Sequence, residues 1–428
     1  MENPRQLALE TLLKLQKHQS YSNLSIAGAL GSHDLSGADK SFFTTLVYGV
    51  LERKITLDYN LSLYLKQPLK KLNPKVYTLL LLGTYQVLFL EKVPDHAAIN
   101  ETVKLTRKNG VGFASGLCNA VLRNVARGGL RLPKEDGSLH YYSVKYSVPE
   151  SLVDLWVSSY GPEKALGALE DALGPRPLTV RVNTTKTTRE ELQERLQAEG
   201  VTSVPHEFAD NALILEEAGD LSALPSFQEG LFHVQDAASQ LCCENLAVGP
   251  GMRVYDLCAA PGGKSCTLAE IMGNEGEVKA FDLYEKRVAL IRENAERLGL
   301  SIVDASVGDA TEFSSELPLA DRVLCDVPCA GFGDIGRKPE IRFKDPGFVD
   351  NLPALQYDIL NNAEHYLAPG GRLVYSTCSL NPAENEAVVS RFLKEHADYH
   401  LLLEKTYFPQ DYHCDGFYNA VLEKAGDQ

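Results

Sequence analysis

Two cysteines stand where a chain presents reactive groups. Cys329 lies in "DVPCAGFGDIGRKPEIR" (326–342) and Cys378 in "YSTCSL" (375–380), each directly after a hydrophobic run of strand character and each followed by turn-forming residues. A thiolate is a strong nucleophile, but a free thiol with a pKa of about 8.5 is only slightly ionised at neutral pH, so chemistry at either position needs a setting that stabilises the anion. The same half of the chain carries a loop of small residues, "DLCAAPGGKS" (256–265), and three aspartates, Asp282, Asp309 and Asp326, at the ends of successive strand-like runs. Carboxylates there accept hydrogen bonds, and the glycines let a backbone approach a ligand closely.

Three ligands compete for the loop. A nucleoside triphosphate suits the ending "GGKS", but the spacing G-x-x-x-x-G-K-S requires glycine at position 258, which is Cys258. A dinucleotide calls for G-x-G-x-x-G, which is absent, although Asp282 stands at about the ~20-residue distance at which a carboxylate grips a ribose. S-adenosylmethionine needs a similar carboxylate and has no pyrophosphate to cradle, so it fits best. Cys258, Ala259, Ala260, Pro261, Gly262, Gly263 and Lys264 then form the cofactor loop. Asp282 binds the ribose hydroxyls, Asp309 receives the adenine amino group, and Asp326 holds the methionine amine. Taken singly, each aspartate suits a helix cap or turn; three at successive strand ends favour a ligand.

Positioning these groups falls to alternating strands and helices from residue 231 to 428, a pattern that implies a mainly parallel sheet covered on both faces. "RVYDLC", "EVKAFDL", "SIVDASVGDA", "ADRVLCDVPC", "GRLVYSTCSL" and "FYNAVLEK" supply strands. "KSCTLAEIMG", "YEKRVALIRENAERLG", "LQYDILNNAEHYL" and "NEAVVSRFLKEH" supply helices, the second with Val288, Ile291, Ala295 and Leu298 inward. Residues 149–230 mix strand runs ("PLTVRVNTTKTT", "NALILEE") with the helical "REELQERLQAEGV", a small α+β module. Residues 135–148 are a linker rich in turn formers and tyrosine, and residues 1–134 are all-α, with Asp95 placed to cap "HAAINETVKLTRKNG".

A length of 428 residues suits two or three such domains, and 44% hydrophobic with 23% charged residues is an ordinary globular balance. No apolar run reaches the roughly 18 residues that spanning a bilayer takes, and the amphipathic start lacks a signal peptide's apolar centre, so a cytoplasmic protein without a membrane partner is expected. Nine scattered cysteines without a C-x-x-C pair argue against a disulfide scaffold and against a metal site. Cys118, Cys242, Cys243 and Cys325 default to small buried apolar groups. The net charge of −15 is uneven: residues 1–134 hold 18 Lys+Arg against 9 Asp+Glu, about +9, leaving about −24 elsewhere. That split lays a basic face on nucleic-acid phosphates, or is a solvated helical surface. Arg337, Lys338, Arg342 and Lys344 of "GRKPEIRFK" likewise suit RNA phosphates beside the site, or a solvated loop.

"DLCAAPGGKS", "DVPCAGFGDIGRKPEIR" and "YSTCSLNPAENE" resemble motifs I, IV and VI of the RNA cytosine-5 methyltransferases, and "RVNTTK", "GLFHVQDAASQL" and "DGFYNAVLEK" resemble further segments of that family, so the likeness covers about residues 149–428. The basic helical part resembles, more loosely, the NusB-like domain of the bacterial small-subunit rRNA cytosine-5 methyltransferase B (Sun/Fmu) family. The resemblance implies an α/β fold: a Rossmann-like S-adenosylmethionine-dependent methyltransferase domain preceded by a small α+β module and an all-α NusB-like RNA-binding domain. It implies methylation of carbon 5 of a cytosine in single-stranded or loop rRNA, by family naming cytosine 967, by a monomer. It makes Cys378 the nucleophile and Cys329 the group that assists elimination, with Asp326 and Lys264 beside them. Lys264, or the cofactor's sulfonium, would favour the thiolate. Enzymes that methylate exocyclic amines place an aromatic residue after the proline; Cys329 there, after Pro328, points to a ring carbon. Ala330 departs from the family's usual serine and puts any serine-dependent hydrogen bond in doubt. The rivals are the same chemistry on another RNA such as tRNA, and an RNA- or transcription-complex-binding protein with an idle cofactor site.

Overall fold

The computed structural model describes residues 3–18, 22–174, 176–216, 219–344, 347 and 351–426. Internal contacts divide it into two units: Met1–Ser158 with Ile335–Asp345, and Ser159–Asp334 with Pro346–Gln428.

The first unit is helical. Its central helix, Pro74–Phe89, starts at Asn73, whose side chain accepts from the Lys75 amide, with proline at the first position where a missing N–H costs nothing. Leu79, Leu80, Leu81 and Leu82 are all buried, so this helix is apolar around its circumference and packs between its neighbours. The helix Ser115–Gly128 ends on Gly129 at φ 64°, the left-handed turn for which glycine suits a C-terminus. Asp95 does not cap the helix Asp95–Lys108: it is the first helical residue, Pro94 holds the cap position, and no side-chain cap bond forms. The tyrosine-rich stretch after residue 134 contains the helix Leu139–Tyr146, capped by Ser138.

The second unit holds two sheets. The smaller is antiparallel, built from β1 (Leu178–Val182), β2 (Thr202–Pro205), β3 (Ala212–Glu216) and β4 (Phe232–Val234) in the order β2-β3-β1-β4. Val180, Val182, Leu213, Leu215 and Phe232 bury against Leu192 and Leu196 of the helix Arg189–Ala198, whose start is fixed by a reciprocal Thr188–Glu191 capping box. Arg181 of β1 is buried and donates from Nε to Glu270 Oε2 at 2.8 Å, which ties this sheet to the helix Gly263–Ile271 of the larger layer.

The larger sheet contains β5 (Arg253–Asp256), β6 (Glu277–Asp282), β7 (Val303–Val307), β8 (Ala320–Asp326), β9 (Leu367–Thr377), β10 (Tyr399–Tyr407) and β11 (Phe417–Lys424). Their order is β10-β11-β9-β8-β5-β6-β7, parallel from β7 to β9, with β11 and β10 antiparallel at the far edge. This is the Rossmann-like arrangement. The strand order reverses at β5, which lies between β6 and β8, and a ligand crevice opens at the carboxyl ends of strands at such a switch point. The inner strands β8 and β9 are largely buried, as parallel strands covered on both faces must be, and the antiparallel β11 beside them is buried as well. In the helix Glu285–Leu298 the inward residues are Val288, Ile291, Ala295 and Leu298.

Candidate active site

The carboxyl ends of five adjacent strands, β5 to β9, carry the expected groups. After β5 the chain runs through Cys258, Ala259 and Ala260 to Pro261 and Gly262, and the helix Gly263–Ile271 begins. Gly262 has φ 102°, and a Cβ there would lie 3.0 Å from Ile291 Cα, so both conformation and space demand glycine. The loop is pinned by the Ala259 amide on Phe281 O at 2.8 Å and the Gly262 amide on Ala259 O at 2.7 Å. Beneath it, burial pushes the Asp256 carboxyl up to about 7, opposed by the Ser265 hydroxyl that donates to Oδ2 at 2.6 Å. Cys258 is a partly buried thiol whose pKa burial raises well above its ordinary value, so it stays neutral.

Asp282 ends β6 and is buried; its Oδ2 accepts from the Ala260 amide at 3.3 Å, and its Oδ1 lies 3.1 Å from Arg287 Nε. Asp309 follows β7, exposed, with Oδ1 accepting from the Thr311 amide and hydroxyl at 2.9 and 2.7 Å; these bonds hold its pKa below the usual carboxylate value. Asp326 ends β8, with Oδ1 accepting from Ser376 Oγ at 2.8 Å and Oδ2 from Lys264 Nζ at 2.8 Å. Burial works against the Lys264 ammonium, yet Asp326 outweighs it and raises the pKa above its ordinary value. Lys264 is thus committed to a carboxylate, and Asp326 has only its remaining lone pairs to offer a cofactor amine. The residues present fit S-adenosylmethionine. A turn of small residues leads into a helix N-terminus beside the switch point, and a buried carboxylate stands at the next strand end where the ribose would lie.

Cys329 and Cys378 meet. Their sulfurs are 3.2 Å apart, neither is in a disulfide, and each is partly exposed. β8 and β9 are parallel neighbours with Asp326 opposite Ser376, so the turns that leave them run side by side. Three backbone bonds are made here, two between these turns and one to the turn before β11. The Val327 amide donates to Ser376 O at 3.1 Å, Gly333 to Cys378 O at 2.9 Å, and Gly416 to Gly333 O at 3.0 Å. A Cβ on Gly333 would sit 1.7 Å from Gly416 O, so only glycine admits this approach.

Glu384, which the motif reading passed over, is fully buried behind the thiols and accepts from Ala330 N, Gln356 Nε2, Ser379 Oγ and Asn381 Nδ2. The signal available was an acidic residue in the turn just after a reactive cysteine. Ala330 is buried and contributes its amide to this network, a bond that asks nothing of the side chain.

The four basic residues of "GRKPEIRFK" fall in the segment that groups with the helical unit. Arg337, Lys338 and Lys344 are half-buried. Arg342 departs from the expectation of a phosphate contact: it is fully buried and donates from Nη1 to Tyr146 O at 2.9 Å. Burying a guanidinium is costly without partners, so this one is held as a structural strut. Among the described residues no group of three or more His, Cys, Asp or Glu side chains is placed to hold a metal, and no helix is long and apolar enough to cross a membrane.

Comparison with known proteins adds a family. The model described as "16S rRNA methyltransferase RsmB/F" matches residues 244–423, the "NusB family" matches residues 2–127, and an RsmF/B-like ferredoxin-like domain matches residues 148–222. "Probable ribosomal RNA small subunit methyltransferase B" of Bacillus subtilis is 37% identical over 445 residues, covering 99% of each chain. "Ribosomal RNA small subunit methyltransferase B" of Vibrio cholerae is 35% identical, over 94% of this chain and 93% of that one. Of solved structures, PH0851 matches with a TM-score of 0.83 at 26% identity over 99% of both chains. A methyltransferase homolog from Pyrococcus horikoshii matches with a TM-score of 0.60 at 28% identity, over 68% of this chain and 99% of that one.

Proposed function

The chain belongs to the 16S rRNA methyltransferase RsmB/F family and is an S-adenosylmethionine-dependent RNA methyltransferase, and we propose that it methylates carbon 5 of a cytosine in small-subunit rRNA, by family naming cytosine 967, through a covalent bond from Cys378 to carbon 6. The observation that carries this reading is the pair of thiols 3.2 Å apart at the ends of adjacent strands, next to the cofactor crevice.

Carbon 5 of cytosine is too weak a nucleophile to accept a methyl group unaided. The Cys378 thiolate donates its electron pair to carbon 6, and the ring's π pair shifts toward carbon 5, which becomes enamine-like. When bound, S-adenosylmethionine supplies the electrophilic methyl group. Cys329, acting as the thiolate, then takes the proton from carbon 5 and becomes the thiol; the C–H electron pair re-forms the ring double bond and expels the Cys378 thiolate. At 3.2 Å the two sulfurs are close enough to share a hydrogen bond. Lys264 holds Asp326 in place at the edge of the same crevice.

The target base has to leave its stack, at a cost of a few kcal/mol that a single-stranded or loop nucleotide lowers. The reading places the protein in the cytoplasm, as a monomer, with the basic helical unit adding RNA affinity and Arg337, Lys338 and Lys344 near phosphates. The test is transfer of tritium from labelled cofactor to small-subunit rRNA, followed by bisulfite mapping. Label at cytosine 967 that disappears with Cys378→Ala supports the reading; label that goes to tRNA instead, or survives that substitution, overturns it.

A further inference from the structure

We infer that Glu384 is a positioning residue whose two carboxylate oxygens hold the two thiol-bearing turns in register. Its role in turnover rests on the reaction proposed above; its hold on the sulfurs does not. Oε1 accepts from the Ala330 amide at 2.8 Å and Gln356 Nε2 at 3.0 Å, and Oε2 accepts from Ser379 Oγ at 2.7 Å and Asn381 Nδ2 at 3.1 Å. Ala330 follows Cys329 directly and Ser379 follows Cys378, so one side chain grips the residue after each sulfur. Gln356 uses the same amide group to bond Pro328 O at 2.9 Å, which fixes the residue before Cys329 as well.

All four partners act as donors, and a carboxylate offers about four lone-pair sites, so its capacity is filled. An amide does not replace it. With glutamine, an NH2 group faces two donors on one side. The Ala330 N–H cannot turn away, and flipping Asn381 forfeits the bond that its Oδ1 accepts from the Ala383 amide at 3.2 Å. Bonds to an ionised acceptor are shorter and stronger than neutral ones, which suits a joint between turns that are far apart in sequence. Glu384 touches neither Asp282 nor the cofactor loop, so its loss should reach the sulfurs and leave cofactor binding alone.

The test measures sulfur proximity directly. A diazenedicarboxamide oxidant takes two hydrogens from Cys329 and Cys378, forms their S–S bond and becomes the hydrazine; the linked peptide is counted by mass spectrometry in the full-length protein. Glu384→Gln is expected to slow this cross-link at least ~10-fold and to lower kcat ~10- to 100-fold with cofactor Kd within about 2-fold. Ser379→Ala, which removes one donor, is expected to slow it about 3-fold and serves if the glutamine variant does not fold. Val389→Ala, a buried change in the helix Glu386–Glu395, provides a matched loss of melting temperature and should cross-link at the wild-type rate. Wild-type cross-linking in Glu384→Gln, or equal slowing in Val389→Ala, overturns the inference. Should wild-type protein make no 5-methylcytosine while cross-linking still depends on Glu384, the proposed reaction falls and the positioning role stands.

Discussion

The cofactor side and the thiol side of the crevice are built on different principles. On the cofactor side, backbone does most of the shaping: a glycine at φ 102°, amides bonded to neighbouring carbonyls, and a carboxylate at the end of β6 that accepts from the Ala260 amide. On the thiol side, buried side chains do it. One carboxylate, one glutamine and two glycines in contact bring together turns 49 residues apart. A side shaped by local backbone tolerates exchange of single side chains, apart from those that touch the ligand. The other side should fail when any member of its network is removed, because an orphaned buried partner costs more than the bond it made.

The largest effect expected from this contrast is at Cys378. Cys378→Ala should lower methyl transfer at least about 1,000-fold, as loss of a nucleophile does, with cofactor affinity unchanged in calorimetry. A parallel loss of cofactor affinity would merge the two sides. Next is Asp282→Ala, which removes a buried acceptor from the cofactor side. Cofactor Kd should rise about 10- to 100-fold, the ~1.5–3 kcal/mol range of bonds to a charged group, while the Cys329–Cys378 cross-link forms at the wild-type rate.

A smaller effect concerns pH. The Asp256 carboxyl is pushed up to about 7 by burial, above the ~3.9 of an unfolded chain. Its folded form favours the proton, so its share of stability is full below about pH 4 and is lost as pH rises through about 7. Asp256→Asn should therefore flatten the fall in melting temperature across that window; an unchanged slope assigns the fall to other groups. The smallest effect is on RNA. Lys338→Ala should reduce the salt dependence of RNA binding by about one unit of slope. Arg342→Ala should leave that slope alone and lower the melting temperature, since its guanidinium holds Tyr146 O.

The same contrast governs what could be read from the sequence. The loop from Cys258 to Lys264 and the strands β5 to β9 announce themselves by local pattern, since apolar runs, glycines and strand-end aspartates are neighbours in the chain. The two cysteines were legible as reactive groups because each ends such a run. Their partnership through Glu384 was not, because Ala330 and Gln356 lie 54 and 28 residues away from it. The edge strand β10 hid for another reason: its Leu401 and Leu402 are exposed and Glu404 and Lys405 interrupt the run, so no period of two stands out. β2 and β4 are four and three residues long, too short for periodicity to register. Arg342 misled through its charge, which argues for solvent, whereas a carbonyl 196 residues away fixes it inside.

The most direct measurement of the central claim is a denaturing gel of Cys329→Ala incubated with cofactor and small-subunit rRNA. With attack intact and elimination disabled, the protein should migrate as a covalent RNA adduct, and the double variant Cys329→Ala/Cys378→Ala should show none. No adduct with the single variant, or an adduct that persists in the double, would contradict the assignment of Cys378 as the attacking sulfur.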